Sequence, residues 1–391
     1  AADGVFQAGK TLTINTATTD NQGNIVSRNV TLTAGRLLNS GKLLAENNLT
    51  LNTPVLTQAA GGQLLAGNVL RHTGDEWHNQ GRIQAADVNI EAAQGENSGT
   101  IQAGDITLHH QQALNNRTGG EIRAQNNLSL TVQSADNRGL ISSAGSLTAA
   151  VAKTLVSHGQ WSAQGHQTLR AETLENLGVM QGISAELSAG TLRNHGQMIF
   201  DGAVKTDSRS LENSGHLQGG SLSVTAPALT NSAVLFALSD LSVQSGTLNN
   251  TGKSRLYSGG DIMLTADSIV MPEQLTAAGD VTVSSRAPLL LNGIIAAVKQ
   301  ARITTQGDLR QTGKLQGEQV TLSAGGTLKN ENSILAGRGG LSITAADVSQ
   351  TAAGKIQSGA DLRITSETSL ENAGFTGAKG DVTLSAQNTL T

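Results

Sequence analysis

The stretch Leu211-Glu212-Asn213-Ser214-Gly215-His216-Leu217-Gln218-Gly219, continued by Leu222-Ser223-Val224-Thr225-Ala226 to Leu229, decides the fold. Apolar residues alternate with polar ones, the period of a strand that buries one face. No window of the chain holds helical spacing. The same template fits Leu192-x-Asn194-x-Gly196-x-Met198-x-Phe200, and Asn97-x-Gly99-x-Ile101-x-Ala103 with Ile106 and Leu108 beyond it. Each unit therefore reads as two or three short strands joined by turns. Asn and Gly suit those turns because both tolerate positive φ.

The triplet Asn-x-Gly marks the unit. It occurs at Asn21, Asn39, Asn79, Asn97, Asn137, Asn176, Asn194, Asn213, Asn250 and Asn372. The steps between neighbours lie close to multiples of about 18–21 residues, and such a period is the signature of a solenoid. Degenerate copies fill the gaps: Ala60-Gly61-Gly62, Ser157-His158-Gly159, Asn231-Ser232-Ala233 and Gln311-Thr312-Gly313. At Asn116 and Gln350 two extra residues precede the glycine, at Gly120 and Gly354.

One such unit cannot fold alone. It offers a handful of inward aliphatics worth roughly 1.5–3 kcal/mol each, against about 1–2 kcal/mol per residue of backbone ordering. Stability must come from stacking on neighbours. The architecture that stacks such coils is a parallel β-helix, here of about twenty coils at ~4.8 Å each, or ~95 Å. The recurring Asn would stack into an amide ladder at one corner.

Composition agrees. Aromatics are 2% of the 391 residues and charged residues 14%, with 46 glycines and no cysteine. A narrow interior takes Leu, Ile, Val and Ala; disulfides and thiolate metal sites are excluded. The net charge of −4 and scattered basic residues leave no electrostatic footprint for nucleic acid. No apolar run reaches the length of a membrane span. Residues 1–391 read as a single β-helix segment with Gly4-x-Phe6-x-Ala8 and Val382-x-Leu384-x-Ala386 already in register and no capping unit at either end, as expected of a piece of a longer filament.

The unit resembles the repeat of filamentous haemagglutinins and of the large exoproteins of contact-dependent growth inhibition. Leu174-Glu175-Asn176-Leu177-Gly178, Leu370-Glu371-Asn372-Ala373-Gly374 and Asn79-Gln80-Gly81-Arg82-Ile83-Gln84-Ala85 are good local matches. The resemblance implies a right-handed parallel β-helix of the two-partner secretion family. Its partner in export would be an outer-membrane transporter, and it would be secreted and displayed on a Gram-negative cell. In that family the repeats form a filament that carries a receptor-binding or toxic region, which implies a partner receptor on a target cell.

The aromatics are natural candidates for receptor or sugar contact, and register sorts them. Phe6, Trp77, Trp161 and Phe200 fall in inward slots and are expected to be core plugs. Phe236, Tyr257 and Phe375 fall in outward slots as dispersed surface side chains, the candidates for partner contact. His109-His110 is the one adjacent histidine pair, with His110 in a slot that is usually Ala. Zinc needs three or four converging ligands, so no metal site is expected. The Gly-Asp pairs at Asp105, Asp261, Asp280 and Asp381 lack a calcium-repeat frame and read as turns in which Asp caps its own backbone.

Phosphate loops, a nucleophile elbow and a metalloprotease helix are absent, so no catalytic residue and no cofactor are expected. The repeat is weakest over 268–303, where Pro272 stands in the Asn place and Val270 in the inward slot, and it also fits poorly over 200–210. Drifted repeats account for this; a local bulge that a partner recognises is the sharper alternative. The reading is a non-enzymatic stalk segment presenting an adhesive or toxin-delivering region to other cells. The alternatives are an adhesin module whose flank binds a receptor or glycan, and a polysaccharide-active β-helix enzyme.

Overall fold

Each turn of the chain has three faces because the inward apolar residues come in three clusters per repeat, and its extended chain runs as one, two or three strands. In the computed structural model, which describes residues 4–391, the strands Lys42–Asn52 and Val55–Gln58 make one turn. Gln63–Ala66, Val69–Thr73 and Glu76–Asn79 make the next. Lys42 pairs with Gln63, Leu49 with Leu70 and Val55 with Glu76, all in parallel. There is no helix among the described residues. Backbone donors and acceptors point along the stack and are satisfied by the coils on either side, as buried peptide groups must be.

Ala1–Ile199 and Phe200–Thr391 are two compact units. In the first, Leu37, Leu56, Trp77, Gly95 and Leu114 share one inward column. Leu51, His72, Ile90, Leu108 and Leu130 share another. In the second, Leu222, Leu241, Ile262, Val281 and Ala301 line up in the same way. There the third face becomes a separate six-stranded sheet, from Leu289–Leu291 to Thr389–Leu390. Every one of these inward side chains except those at the outermost coils is buried, so each column is one continuous stack, apolar but for His72.

The glycine of the triplet is fixed by crowding rather than by backbone sign, except at Gly252 of Asn250-Thr251-Gly252, which has a positive φ and only an ordinary contact at its Cβ position. Among the described residues only Gly119, Gly252 and Gly340 have positive φ, and no Asn does. A Cβ at Gly41, Gly99 or Gly159 would instead run into the carbonyl oxygen of the glycine one coil earlier. The coils approach so closely at this corner that only hydrogen fits. Positive φ is confined to insertions such as Arg117-Thr118-Gly119, where two extra residues must be turned before Gly120 rejoins its column.

Over 268–303 the register differs from the sequence reading by one residue. Asn249 pairs with Val270, which puts Met271 in the Asn column and leaves Val270 51% exposed; Ile269 fills the inward slot. Leu291 takes the same column in the next coil, in register with Gln311. The spacing is kept there as Met271-Pro272-Glu273 and Leu291-Asn292-Gly293, with an apolar residue in place of the amide in both and Glu273 in place of the glycine in the first. Over 200–210 the strand Ala203–Asn213 pairs with Ser221–Asn231 in one register on both sides of Ser208 and Arg209. The pattern was hard to see because Thr206 and Ser208 are the buried residues.

Candidate functional site

The amide ladder is the most regular polar feature. In the first unit Asn21 Nδ2 donates to Asn39 Oδ1 at 2.7 Å and Asn39 Nδ2 to Gln58 Oε1 at 2.8 Å. Asn79, Asn97, Asn116 and Asn137 continue it with three contacts of 2.8 Å, and Asn176 donates to Asn194 at 2.9 Å. In the second unit Asn213 donates to Asn231 at 2.8 Å, and Asn231 to Asn250 at 3.2 Å. Asn330 donates to Gln350 at 3.2 Å. All of these are buried, so each bond both closes a coil and satisfies two groups that would otherwise be costly. Asn372 is exposed and bonds only to its own turn.

Three rungs carry no amide: Ser157, Met271 and Leu291. At Ser157 the hydroxyl is too short to reach, and both Ser157 Oγ and Asn176 Oδ1 are buried without a partner. Asn137 donates instead to the Gln160 carbonyl at 2.9 Å. In the second unit Met271 and Leu291 replace amide by thioether and alkyl, and Asn250 turns to the Val270 carbonyl at 2.9 Å.

Trp77, Trp161 and Phe200 are fully buried. Phe6 is not a core plug: it shares the inward column of Ile25 but is 66% exposed. It stands on the first rung of that column among the described residues, so only one coil covers it. Phe236 and Tyr257 are half-buried, and they are not dispersed, because they are register partners on adjacent coils of one outward face. The Tyr257 hydroxyl donates to Gln274 Oε1 at 2.7 Å. Phe375 is exposed, with the Lys355 ammonium 5.9 Å from its ring centre.

A buried aromatic–imidazole cluster was not legible in the repeat. Trp77 reaches over the rung of Gly95 and donates its indole N–H to His110 Nε2 at 2.6 Å. Gly95 is required there, since a Cβ would run into the indole. His72 is fully buried with neither ring nitrogen bonded. Burial pushes both imidazoles down to about 4, helped at His110 by the neighbouring His109 and His72, and opposed at His72 by the backbone of Leu51. Both are neutral rings used as core.

Three of the Gly-Asp carboxylates bond to the next coil rather than to their own turn. Asp105 Oδ1 accepts the Asn127 N–H at 3.0 Å, Asp261 Oδ1 accepts from Asp280 at 2.8 Å, and Asp280 Oδ1 accepts from Gln300 at 2.9 Å. On the outside Arg117 pairs with Glu96 at 2.8 Å and Arg310 with Glu331 at 3.0 Å. The Arg310 guanidinium, then Lys329, hold the Glu331 carboxyl well below the usual carboxylate range. Exposed pairs of this kind add little stability. Among the described residues no three His, Asp or Glu side chains converge on one point, and no helix is long and apolar enough to cross a membrane.

A shallow groove of about 620 Å³ lies across five coils of the second unit. Its floor is one outward column, Thr225, Gln244, Thr265, Ser284 and Thr304, in parallel register. Pro227, Gly246, Asp267 and Arg286 form its far side, where Arg286 Nη1 meets Asp267 Oδ1 at 2.8 Å. A smaller groove of about 160 Å³ in the first unit runs over Arg71, Asn89 and Glu91.

Parallel coils, a glycine column and an amide ladder define a haemagglutinin-type β-solenoid, and family comparison agrees. Residues 1–35, 25–76, 78–132, 123–196, 218–270, 276–332 and 332–391 match the haemagglutinin repeat, so the chain belongs to that family. The family is one of secreted exoproteins displayed at the surface of Gram-negative cells. The chain is 28% identical to a tRNA nuclease CdiA of Yersinia mollaretii, over 94% of its length and 11% of the relative's. It is 32% identical to a deoxyribonuclease CdiA of Dickeya dadantii, over 96% of the chain and 10% of that protein. To a toxin CdiA of Escherichia coli the figures are 34%, 95% and 12%. The chain thus spans about a tenth of the length of these relatives. No solved structure matches it.

Proposed function

We propose that this chain is a non-enzymatic stalk segment of a secreted surface filament, which holds an adhesive or toxin-delivering region at a distance from the cell that makes it. One observation carries the reading. Relatives named for different activities, a tRNA nuclease and a deoxyribonuclease, share this same repeat segment over nearly all of its length. A segment common to both is not what sets either activity. The structure supports this, since the regular polar groups are spent on the next coil, which is how a stack gains stiffness. Export would run through an outer-membrane two-partner transporter, and delivery would require a receptor on the target cell.

The test is to replace residues 1–391 in the full-length exoprotein with the matching segment of the Escherichia coli relative, and to count surviving target cells in co-culture. Undiminished killing is expected. Loss of killing with normal export and surface display would overturn the stalk reading. A second reading, that the flank itself engages a target cell, draws on the paired Phe236 and Tyr257. Saturable binding of the purified chain to intact target cells, lost in Phe236→Ser/Tyr257→Ser, would establish it.

A further inference from the structure

The groove over Thr225, Gln244, Thr265, Ser284 and Thr304 carries chemistry that a spacer does not need. We propose that it binds a flat, extended, uncharged oligosaccharide laid parallel to the coil stack. This goes beyond the stalk reading and stands or falls without it.

Four observations select that ligand. First, the floor repeats once per coil, about every 4.8 Å, which is close to the length of one sugar in an extended chain. Five coils would seat about four or five sugars. Second, the repeated groups are hydroxyls and an amide on an outward column, exposed at Thr225, Gln244, Thr265 and Thr304 and half-buried at Ser284. They therefore offer donors and acceptors in a row. Third, the Asp267 and Arg286 charges at the rim are paired with each other, so the groove has no surplus charge with which to select an acidic chain. Fourth, the backbone beneath is already consumed in parallel pairing, which leaves no strand edge for an added peptide strand. The lining also lacks any large apolar side chain to anchor a helix or a lipid.

Threonine and serine favour strands for their own sake, so their presence alone proves nothing. The equivalent column in the first unit shows the difference. It reads Thr73, Glu91, His109, Thr131, Ala150 and Arg170, mixed in charge and size. In the second unit the column is hydroxyl or amide at all five groove positions. It is also recessed, because Gly246 stands between Pro227 and Asp267 where other coils carry a side chain.

Isothermal titration of the intact chain with cellohexaose, maltohexaose and hexagalacturonate tests this. Cellohexaose, the flat neutral chain, is expected to bind saturably and more tightly than the coiled maltohexaose or the acidic hexagalacturonate. Thr225→Val/Thr265→Val/Thr304→Val keeps shape and strand preference while removing three hydroxyls, and should weaken cellohexaose binding at least about tenfold. Thr344→Val/Thr365→Val, on the same column outside the groove, should leave it unchanged. Failure of cellohexaose to bind, preference for hexagalacturonate, or equal loss in the two variants would each overturn the proposal.

Discussion

The indole N–H of Trp77 and Nε2 of His110 meet at 2.6 Å across the rung occupied by Gly95. Three residues from three successive coils thus form one buried unit: a large side chain, the space it needs and the acceptor it needs. Gly95→Ala is expected to cost about 1–3 kcal/mol by overpacking. Trp77→Phe is expected to cost a similar ~1–3 kcal/mol by stranding the His110 nitrogen, in addition to lost packing. Urea midpoints of the two variants check both figures. A midpoint for Gly95→Ala equal to that of the parent would sink the geometry.

Acid should loosen this region first. The folded-state values of His72 and His110 lie at about 4, below the ordinary 6.5. Between those values the unfolded chain binds more protons, so stability falls as pH drops from about 6.5 to about 4 and levels off below. Each ring contributes at most on the order of 3 kcal/mol to that fall. His72→Leu, placed between Leu51 and Ile90 in an apolar column, should raise stability at pH 5 and roughly halve the slope. Chemical denaturation at pH 4.5, 5.5 and 7 measures it.

The gap at Ser157 can be repaired. Ser157→Asn supplies an amide long enough to meet Asn137 and Asn176, its register partners. It should add about 0.5–1.5 kcal/mol for each bond restored. Thermal melts would show the gain as a higher midpoint; a lower one would mean that the corner is too tight for the longer side chain.

A charge in the stack should act on several coils together. Leu211 is buried in a column with Leu229 and Leu248. Leu211→Asp places an unpaired carboxylate there, at a cost on the order of several kcal/mol. Limited proteolysis should then cut in the neighbouring coils as well as at the substituted one, because each coil is held by the next. Resistance equal to the parent's would contradict the assigned register.

The stacking of inward Leu, Ile and Val and the position of the Asn column were legible wherever the triplet was intact. They follow from periodicity of two within a strand and one repeat between coils. The reading slipped where a polar residue faced in, as at Thr206 and Ser208, or an apolar one took the amide place, as at Met271 and Leu291. Alternation identifies a face only when chemistry and direction agree. The role of the triplet glycine was misjudged for a related reason. Its constraint is a carbonyl one coil away, and local conformational preference says nothing of that.

The sequence by itself determined the repeat, the parallel stack and the family, because these are properties of a pattern that survives many weak copies. Only the tertiary structure decided which side chains from different coils meet. Trp77 with His110, Phe236 beside Tyr257, Asp261 beneath Asp280 and the five-coil groove all join residues one or more repeats apart. Stacking sets successive coils about 4.8 Å apart, and the exact register, which a single misplaced residue shifts, fixes which of their side chains touch.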